Sequence, residues 1–192
     1  FNPTYSNKDD YNVILFIKSK LVSNLYRNEF EELWSGIFGS GKVSRFHKVF
    51  YPNGSIEVYF CPEDSCSSQL IEKIDEADRS IYFMVFTFTH PGIAEALVRA
   101  KSRGVEVKGI IERFGNNKWS KFTYLSSNNV NVKFDDLKTL LHVKVFIIDN
   151  QTVITGSFNP TLSADKYNDE NLVIINDKTI TRQFLNKFDE LW

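Results

Sequence analysis

Histidine is scarce in this chain: three in 192 residues, at positions 47, 90 and 142. Chemistry that needs an imidazole is therefore confined to three places. Cysteine is scarcer still, with Cys61 and Cys66 five apart around Pro62-Glu63-Asp64-Ser65. A structural zinc wants four nitrogen or sulfur ligands and no histidine stands near this pair, so a metal site is a poor reading and none is expected. A local disulfide and two free thiols at a strand-to-helix turn both fit, which leaves the compartment open. No sign of charge dominates either: 23 basic against 24 acidic residues give a net charge of -1, so a polyanionic partner has to be held by a local patch. Long apolar runs are missing; those at 81–88 and 145–148 are far too short to span a bilayer. No secretory or transit segment is visible. What is plentiful is phenylalanine, 17 residues, in a length sufficient for one well-buried domain.

The chain resembles itself. Residues 1–34 read FNPTYSNKDDYNVILFIKSKLVSNLYRNEFEELW, and residues 158–192 read FNPTLSADKYNDENLVIINDKTITRQFLNKFDELW. The FNPT opening, an apolar strand (13–17 against 172–175) and a closing Phe-x-x-Leu-Trp coincide with a single one-residue gap. The chain also begins at Phe1 rather than Met, and the first copy starts where the second has just finished a Gly-Ser. The expectation is a fragment or processed form of a longer, two-repeat protein. Residues 1–34 would be the tail of a first repeat, 35–55 a connector, and 56–192 a complete second repeat.

The connector is rich in Gly and Ser, with a Pro-Asn-Gly turn signal suited to a short hairpin. His47 lies in it with no carboxylate or Gly-Ser pair at useful spacing, and reads as a surface or linker residue. From Ile56 onward, strand and helix alternate. IEVYFC is a strand; 65–77 carries Leu70, Ile71, Ile74 and Ala77 at helical spacing behind a Ser or Asp cap. IYFMVFTF is a strand covered on both faces. Pro91 opens the next helix and Gly104 follows its end; VEVKGIIE is the third strand. Such alternation predicts an α/β fold: a mixed, largely parallel sheet flanked by helices on both faces, an α-β-α sandwich. His90 follows a strand's C-terminal end, where ligands collect in open sheets, but a helix-start residue is the favoured reading. Between 113 and 141 a short helix is expected at 119–125 and a strand near 130–134. There Lys118, Trp119, Lys121, Phe122 and Tyr124 interleave charge and rings; an amphipathic surface helix explains the pattern better than base stacking.

The densest stretch is 141–171, LHVKVFIIDNQTVITGSFNPTLSADKYNDEN. On a strand, His142 and Lys144 share one face while Val143, Val145 and Ile147 share the other. Asp149 falls on the face opposite the His, at the strand's end, and is assigned a structural task. His142-x-Lys144-x4-Asp149, then Gly156-Ser157-x-Asn159, then Glu170-Asn171, matches the motif of the phospholipase D superfamily. Residues 58–112 look like the N-terminal half of its small bacterial endonucleases. Breaking a phosphodiester without a metal needs a nucleophile, donors on the nonbridging oxygens and an acid for the leaving oxygen. Imidazole can attack phosphorus and be displaced by water. Lys144 would neutralise one oxygen and Asn159 donate to another. Glu170 would accept from the second imidazole nitrogen, and Ser157 bind phosphate or shape the turn.

The resemblance implies two such motifs across a pseudo-two-fold axis, one histidine becoming a phosphohistidine and the other acting as acid. Only one motif is complete here. The first tail offers Asn2, matching Asn159, and Asp10 with Tyr11 near the Glu170 position, where the pairing depends on the placement of the gap. Activity then needs a missing upstream half or a second copy in a homodimer. The expected function is a metal-independent, cofactor-free endonuclease acting on DNA or RNA. A phospholipase D or cardiolipin-synthase-like phosphatidyltransferase with a phospholipid substrate is the enzyme alternative, and a noncatalytic nucleic-acid-binding module is the alternative of another class.

Overall fold

The computed structural model describes residues 10–39, 41–44, 46–114 and 118–192. Eight strands form one sheet: β1 (Lys48–Tyr51), β2 (Gly54–Cys61), β3 (Ser80–Val85), β4 (Glu106–Ile111), β5 (Asn131–Phe134), β6 (Lys144–Ile148), β7 (Thr152–Gly156) and β8 (Glu170–Asn176), in the order β1-β2-β8-β7-β6-β3-β4-β5. Among the described residues six helices accompany them: α1 (Lys20–Trp34), α2 (Cys66–Asp75), α3 (Pro91–Ser102), α4 (Phe122–Ser127), α5 (Leu162–Lys166) and α6 (Lys178–Leu191).

The α/β class, the mixed sheet and the helices on both faces match expectation, but the share of parallel pairing does not. Only β3–β4 and β4–β5 are parallel; the other five pairings are antiparallel. The cause is connection length. A parallel pair needs a crossover, as α3 and the α4 segment provide, whereas short turns after β1 and β6 return the chain antiparallel. Asp149 and Asn150 make the second of these turns at φ 52° and 56°, a conformation that Asp and Asn tolerate.

Alternation along the strands sorts the core into two layers. Phe83, Val85, Phe146, Ile148, Leu172 and Ile174 face α2 and α3. Met84, Val145, Ile147, Val173 and Ile175 face the other way, under α6 through Phe188, Phe184 and Ile180. Gly109 is required by this packing, because a Cβ there would run into the Phe83 ring. On the same side as α6, α1 lays Val22 and Leu25 over Val58 and Phe60.

Several local readings hold. Pro91 opens α3 and Gly104 takes φ 94° after its end; the Pro52-Asn53 turn makes the β1–β2 hairpin. Cys61 and Cys66 are disulfide-bonded. Ser65 stands before α2 without a side-chain cap bond, and Asp165 from α5 accepts the Ser67 N–H instead. The helix expected at 119–125 begins at Phe122, with Phe122 stacked on Phe134 at 4.0 Å. Trp119 lies before it, under Lys118 at 5.0 Å. His47 is half-buried rather than a free linker residue, stacked on Tyr59 at 4.5 Å with Nδ1 2.9 Å from the Val58 carbonyl oxygen.

Candidate functional site

Four adjacent strands, β8-β7-β6-β3, bring their ends together at one end of the sheet, and His142, Lys144, Ser157, Asn159 and Glu170 gather there. Lys144 opens β6 with its stem buried against Phe86, whose ring lies 5.3 Å from Nζ. His142 sits two residues before β6 rather than on its ladder, because its N–H is donated to the Tyr11 carbonyl at 3.0 Å. The ring meets the edge of Phe86 at 4.8 Å. Lys144 Nζ lies 3.2 Å from His142 Nε2 and donates to the His142 carbonyl at 3.0 Å. Burial and the Lys144 charge both push the imidazole below its ordinary pKa, with Asp10 opposing. Burial brings the Lys144 ammonium down to about 8, with Glu170 opposing.

The turn after β7 is built around Gly156 at φ 147°, where a Cβ would overlap the Asn171 carbonyl. Ser157 Oγ accepts from both the backbone N–H and the side-chain amide of Asn171, at 3.0 and 3.2 Å. Asn159 follows, and its Oδ1 is buried with no hydrogen-bond partner among the described residues. A buried acceptor left open in this way is suited to a ligand hydroxyl or a water. The carbonyl of the next residue, Pro160, accepts from the N–H groups of Thr89 and His90, both at 2.9 Å, which ties this turn to the end of β3. His90 itself caps α3 through Nδ1, 3.3 Å from the Ile93 N–H, and faces Asp165 at 3.7 Å.

His142, Lys144, Ser157, Asn159 and Glu170 line one cavity of about 800 Å³. Its far wall comes from the N-terminal segment: Asn12, Val13, Leu15, Ile17, Val22 and Tyr26. The residue at His142 Nδ1 is Asn12, whose Oδ1 is 3.1 Å away, and not the expected Glu170. Topology explains the difference. Glu170 opens β8, and β7 lies between that strand and β6; its carboxylate accepts from the Asn168 amide at 3.0 Å.

Comparison with known proteins gives the family. The profile of the family described as "Cardiolipin synthase, PLD-like domain" matches residues 70–192. The chain belongs to the phospholipase D superfamily. Among its relatives, phospholipase D of Rickettsia prowazekii (strain Madrid E) is 35% identical over 135 residues, covering 70% of this chain and 66% of that protein. Mitochondrial cardiolipin hydrolase of Xenopus tropicalis is 32% identical over 157 residues, 81% of this chain and 75% of that one. Among solved structures, the phospholipase D family member Nuc from Salmonella typhimurium superposes with a TM-score of 0.69 at 38% identity, covering 72% of this chain and 94% of Nuc. The chain thus spans about two thirds of the length of the first of these relatives.

The remaining expected residues of this PLD-like chain fall as follows. Asp149 lies at the far end of β6 and accepts the N–H groups of Asp78, Arg79 and Ser80, at 3.0, 2.7 and 2.9 Å, which pins the entry to β3. Asp10 Oδ1 accepts from the Leu140 N–H at 3.4 Å, so its charge acts on the imidazole from a neighbouring position. Asn2 lies outside the described residues. Neither residue type nor sequence neighbours mark Asn12 as a site residue. The signal that finds it is register: with the gap placed earlier, residues 12–34 align without interruption on 170–192, and Asn12 falls on Glu170. Among the described residues no group of three or more His, Cys, Asp or Glu could hold a metal, and no helix is long and apolar enough to cross a membrane.

Proposed function

We propose that this PLD-like chain is a metal-independent phosphodiesterase that cleaves nucleic acid, DNA before RNA, through a phosphohistidine. The observation that carries the chemistry is the pairing of His142 Nε2 with Lys144 Nζ at 3.2 Å on the wall of a cavity that also holds Ser157 and Asn159. Nε2 attacks phosphorus, the ammonium moves onto a nonbridging oxygen, and the Asn159 amide meets another. An acid outside this ring protonates the leaving oxygen, and water then displaces the imidazole. That acid is a second imidazole from another PLD-like unit, and the domain reading belongs with it: residues 1–34 are the tail of a first repeat, 35–55 a connector and 56–192 the second repeat. A homodimer is the other source of that imidazole. Nucleic acid is favoured as substrate by the resemblance of residues 58–112 to the small bacterial endonucleases of the superfamily.

A phospholipid is the second reading, and a specific observation favours it. Val13, Leu15, Ile17 and Val22 give the cavity an apolar wall, as acyl chains would require, and relatives bear the names phospholipase D and cardiolipin hydrolase. Supercoiled plasmid incubated with the full protein in EDTA separates the readings. Nicking that His142→Ala abolishes is the expected result. Release of a headgroup, or transfer to glycerol, without nicking would install the lipid reading. Salt-sensitive DNA binding that survives His142→Ala, with no turnover of either substrate, would leave only a binding module.

A further inference from the structure

The contact between Asn12 and His142 has the geometry of a selected tautomer. The N-terminal segment runs beside Leu141 as an isolated parallel bridge: Tyr11 donates to the Leu140 carbonyl at 2.8 Å and His142 donates to the Tyr11 carbonyl at 3.0 Å. This holds Asn12 against the imidazole. Its Nδ2 is committed to the Asp10 carbonyl at 3.3 Å, so its Oδ1 is the atom turned to the ring, 3.1 Å from Nδ1. An acceptor there requires a proton on Nδ1. On the other side, the Lys144 ammonium has only protons to give, and it stands 3.2 Å from Nε2; a donor there requires a lone pair on Nε2. Two contacts from different parts of the chain therefore select one form of the ring, neutral with Nδ1–H.

We propose that Asn12 is a positioning residue for His142, holding the ring in the tautomer that offers Nε2 to phosphorus, and that its side chain, an amide where the second copy has the carboxylate of Glu170, makes His142 the nucleophile of the pair and not the acid. This rests on the phosphodiesterase reading above. A nucleophile must start with its lone pair free, whereas an acid must start protonated. An amide orients an imidazole without adding a charge that would favour its protonated form. Among the described residues, the charged groups around the ring are Lys144 from β6 and Asp10 from the segment that carries Asn12, with Glu170 from β8 acting on Lys144; Phe86, after β3, is uncharged. In the step itself, the Nε2 lone pair forms the N–P bond while the P–O ester bond breaks. The leaving oxygen keeps that electron pair and takes its proton from the other imidazole. Water then adds to phosphorus and returns the N–P electrons to Nε2, giving up its proton to the ring that has just lost one.

The test uses the full protein with 15N-labelled histidine, three rings in all, assigned through His47 and His90 variants. In the unmodified protein the His142 ring nitrogens are expected to report the Nδ1–H tautomer. Asn12→Ala should lower kcat by about 10- to 100-fold with little change in KM, as loss of a ring-orienting partner does elsewhere. Asn12→Asp should move the His142 titration, and with it the acid limb of the pH–rate profile, up by about one unit. A wild-type ring in the Nε2–H tautomer would overturn the proposal, as would an Asn12→Asp titration superimposable on the unmodified one. An alkaline limb that moves up in Asn12→Asp while the acid limb stays would make His142 the acid, and overturn the assignment of roles. Absence of turnover on every phosphodiester would defeat the activity reading separately, while the tautomer and titration would still decide the positioning.

Discussion

Residues 12–34 and 170–192 are two versions of one passage, and their fates differ. In the second copy Leu172, Ile174 and Phe188 are 3%, 2% and 1% exposed; their counterparts Ile14, Phe16 and Phe30 are 60%, 95% and 55% exposed. The local structure nevertheless repeats. Ser19 and Asp177, at equivalent positions, both cap the helix that follows. Phe30 stacks on Trp34 at 5.7 Å as Phe188 stacks on Trp192 at 5.5 Å. What the first copy lacks is the sheet. Residues 172–175 lie in β8 with a neighbour on each side, and Phe188 also meets Tyr82 of β3 at 5.1 Å. Residues 13–17 carry the same apolar pattern outside any strand. Pattern and caps are local properties of the chain, but burial of a strand is a property of its neighbours. A face of this kind, apolar by pattern and uncovered, is what the proposed first repeat would occupy.

The largest effect expected from this difference is on stability. Phe188→Ala empties a filled position between α6 and the sheet and should cost about 3 to 5 kcal/mol, whereas Phe30→Ala at the equivalent position should cost about 0.5 kcal/mol or less, as exposed substitutions do. Chemical denaturation of the two variants measures both. Comparable losses would mean that the first copy is already packed as the second is, and the comparison would collapse.

The same division shows what the sequence made legible. The strand-helix alternation, the αL glycine after α3 and the hairpin at Pro52-Asn53 are encoded within a few residues of where they act. So is the gathering of His142, Lys144, Ser157 and Asn159, since one turn and one hairpin connect them. The place of Asp149 at a strand end, away from the histidine, is readable from alternation, although its partners Asp78, Arg79 and Ser80 lie about seventy residues earlier. The sheet's predominantly antiparallel pairing was less legible, because β2 pairs with β8 across more than a hundred residues and no local signal records it. Asn12 was hidden for the same reason, 130 residues from the ring it touches. Only the repeat, read in the right register, points to it.

An intermediate effect follows from the equivalence of Asn12 and Glu170. Glu170→Gln would make the second copy resemble the first at this position. The charge of Glu170 supports the Lys144 ammonium against burial, which alone drives that group down. Lys144 is charged below its pKa and loses its proton as the pH rises through about 8, so a rate that depends on this cation falls about tenfold per pH unit above it, equivalent to about 1.4 kcal/mol. In Glu170→Gln the alkaline limb should begin at lower pH, while the acid limb set by His142 stays in place. A profile whose alkaline side is unchanged would show that Glu170 does not act on Lys144 across the cavity.

The smallest effect tests whether the repeated caps are equal once burial is set aside. Asp177 Oδ1 accepts from the N–H groups of Thr179 and Ile180 at 2.8 and 3.1 Å, and its Oδ2 accepts from the Tyr51 hydroxyl at 3.1 Å. Ser19 makes one cap bond, to the Val22 N–H at 3.3 Å. A charged acceptor at a helix N-terminus also gains from the dipole, which a hydroxyl does not. Asp177→Ala should therefore cost about 1 to 2 kcal/mol and Ser19→Ala about 0.5 kcal/mol, the two ends of the range for N-cap removal. The second loss should be read by amide exchange in α1 rather than by global denaturation, because α1 rests on few buried residues, chiefly Val22 and Leu25, and can open without unfolding the sheet. If protection in α1 matches that in α6, and Ser19→Ala lowers global stability as far as Asp177→Ala does, then α1 is held by more than its own cap and its two buried side chains, and the first copy is not the loosely attached passage that its exposure implies.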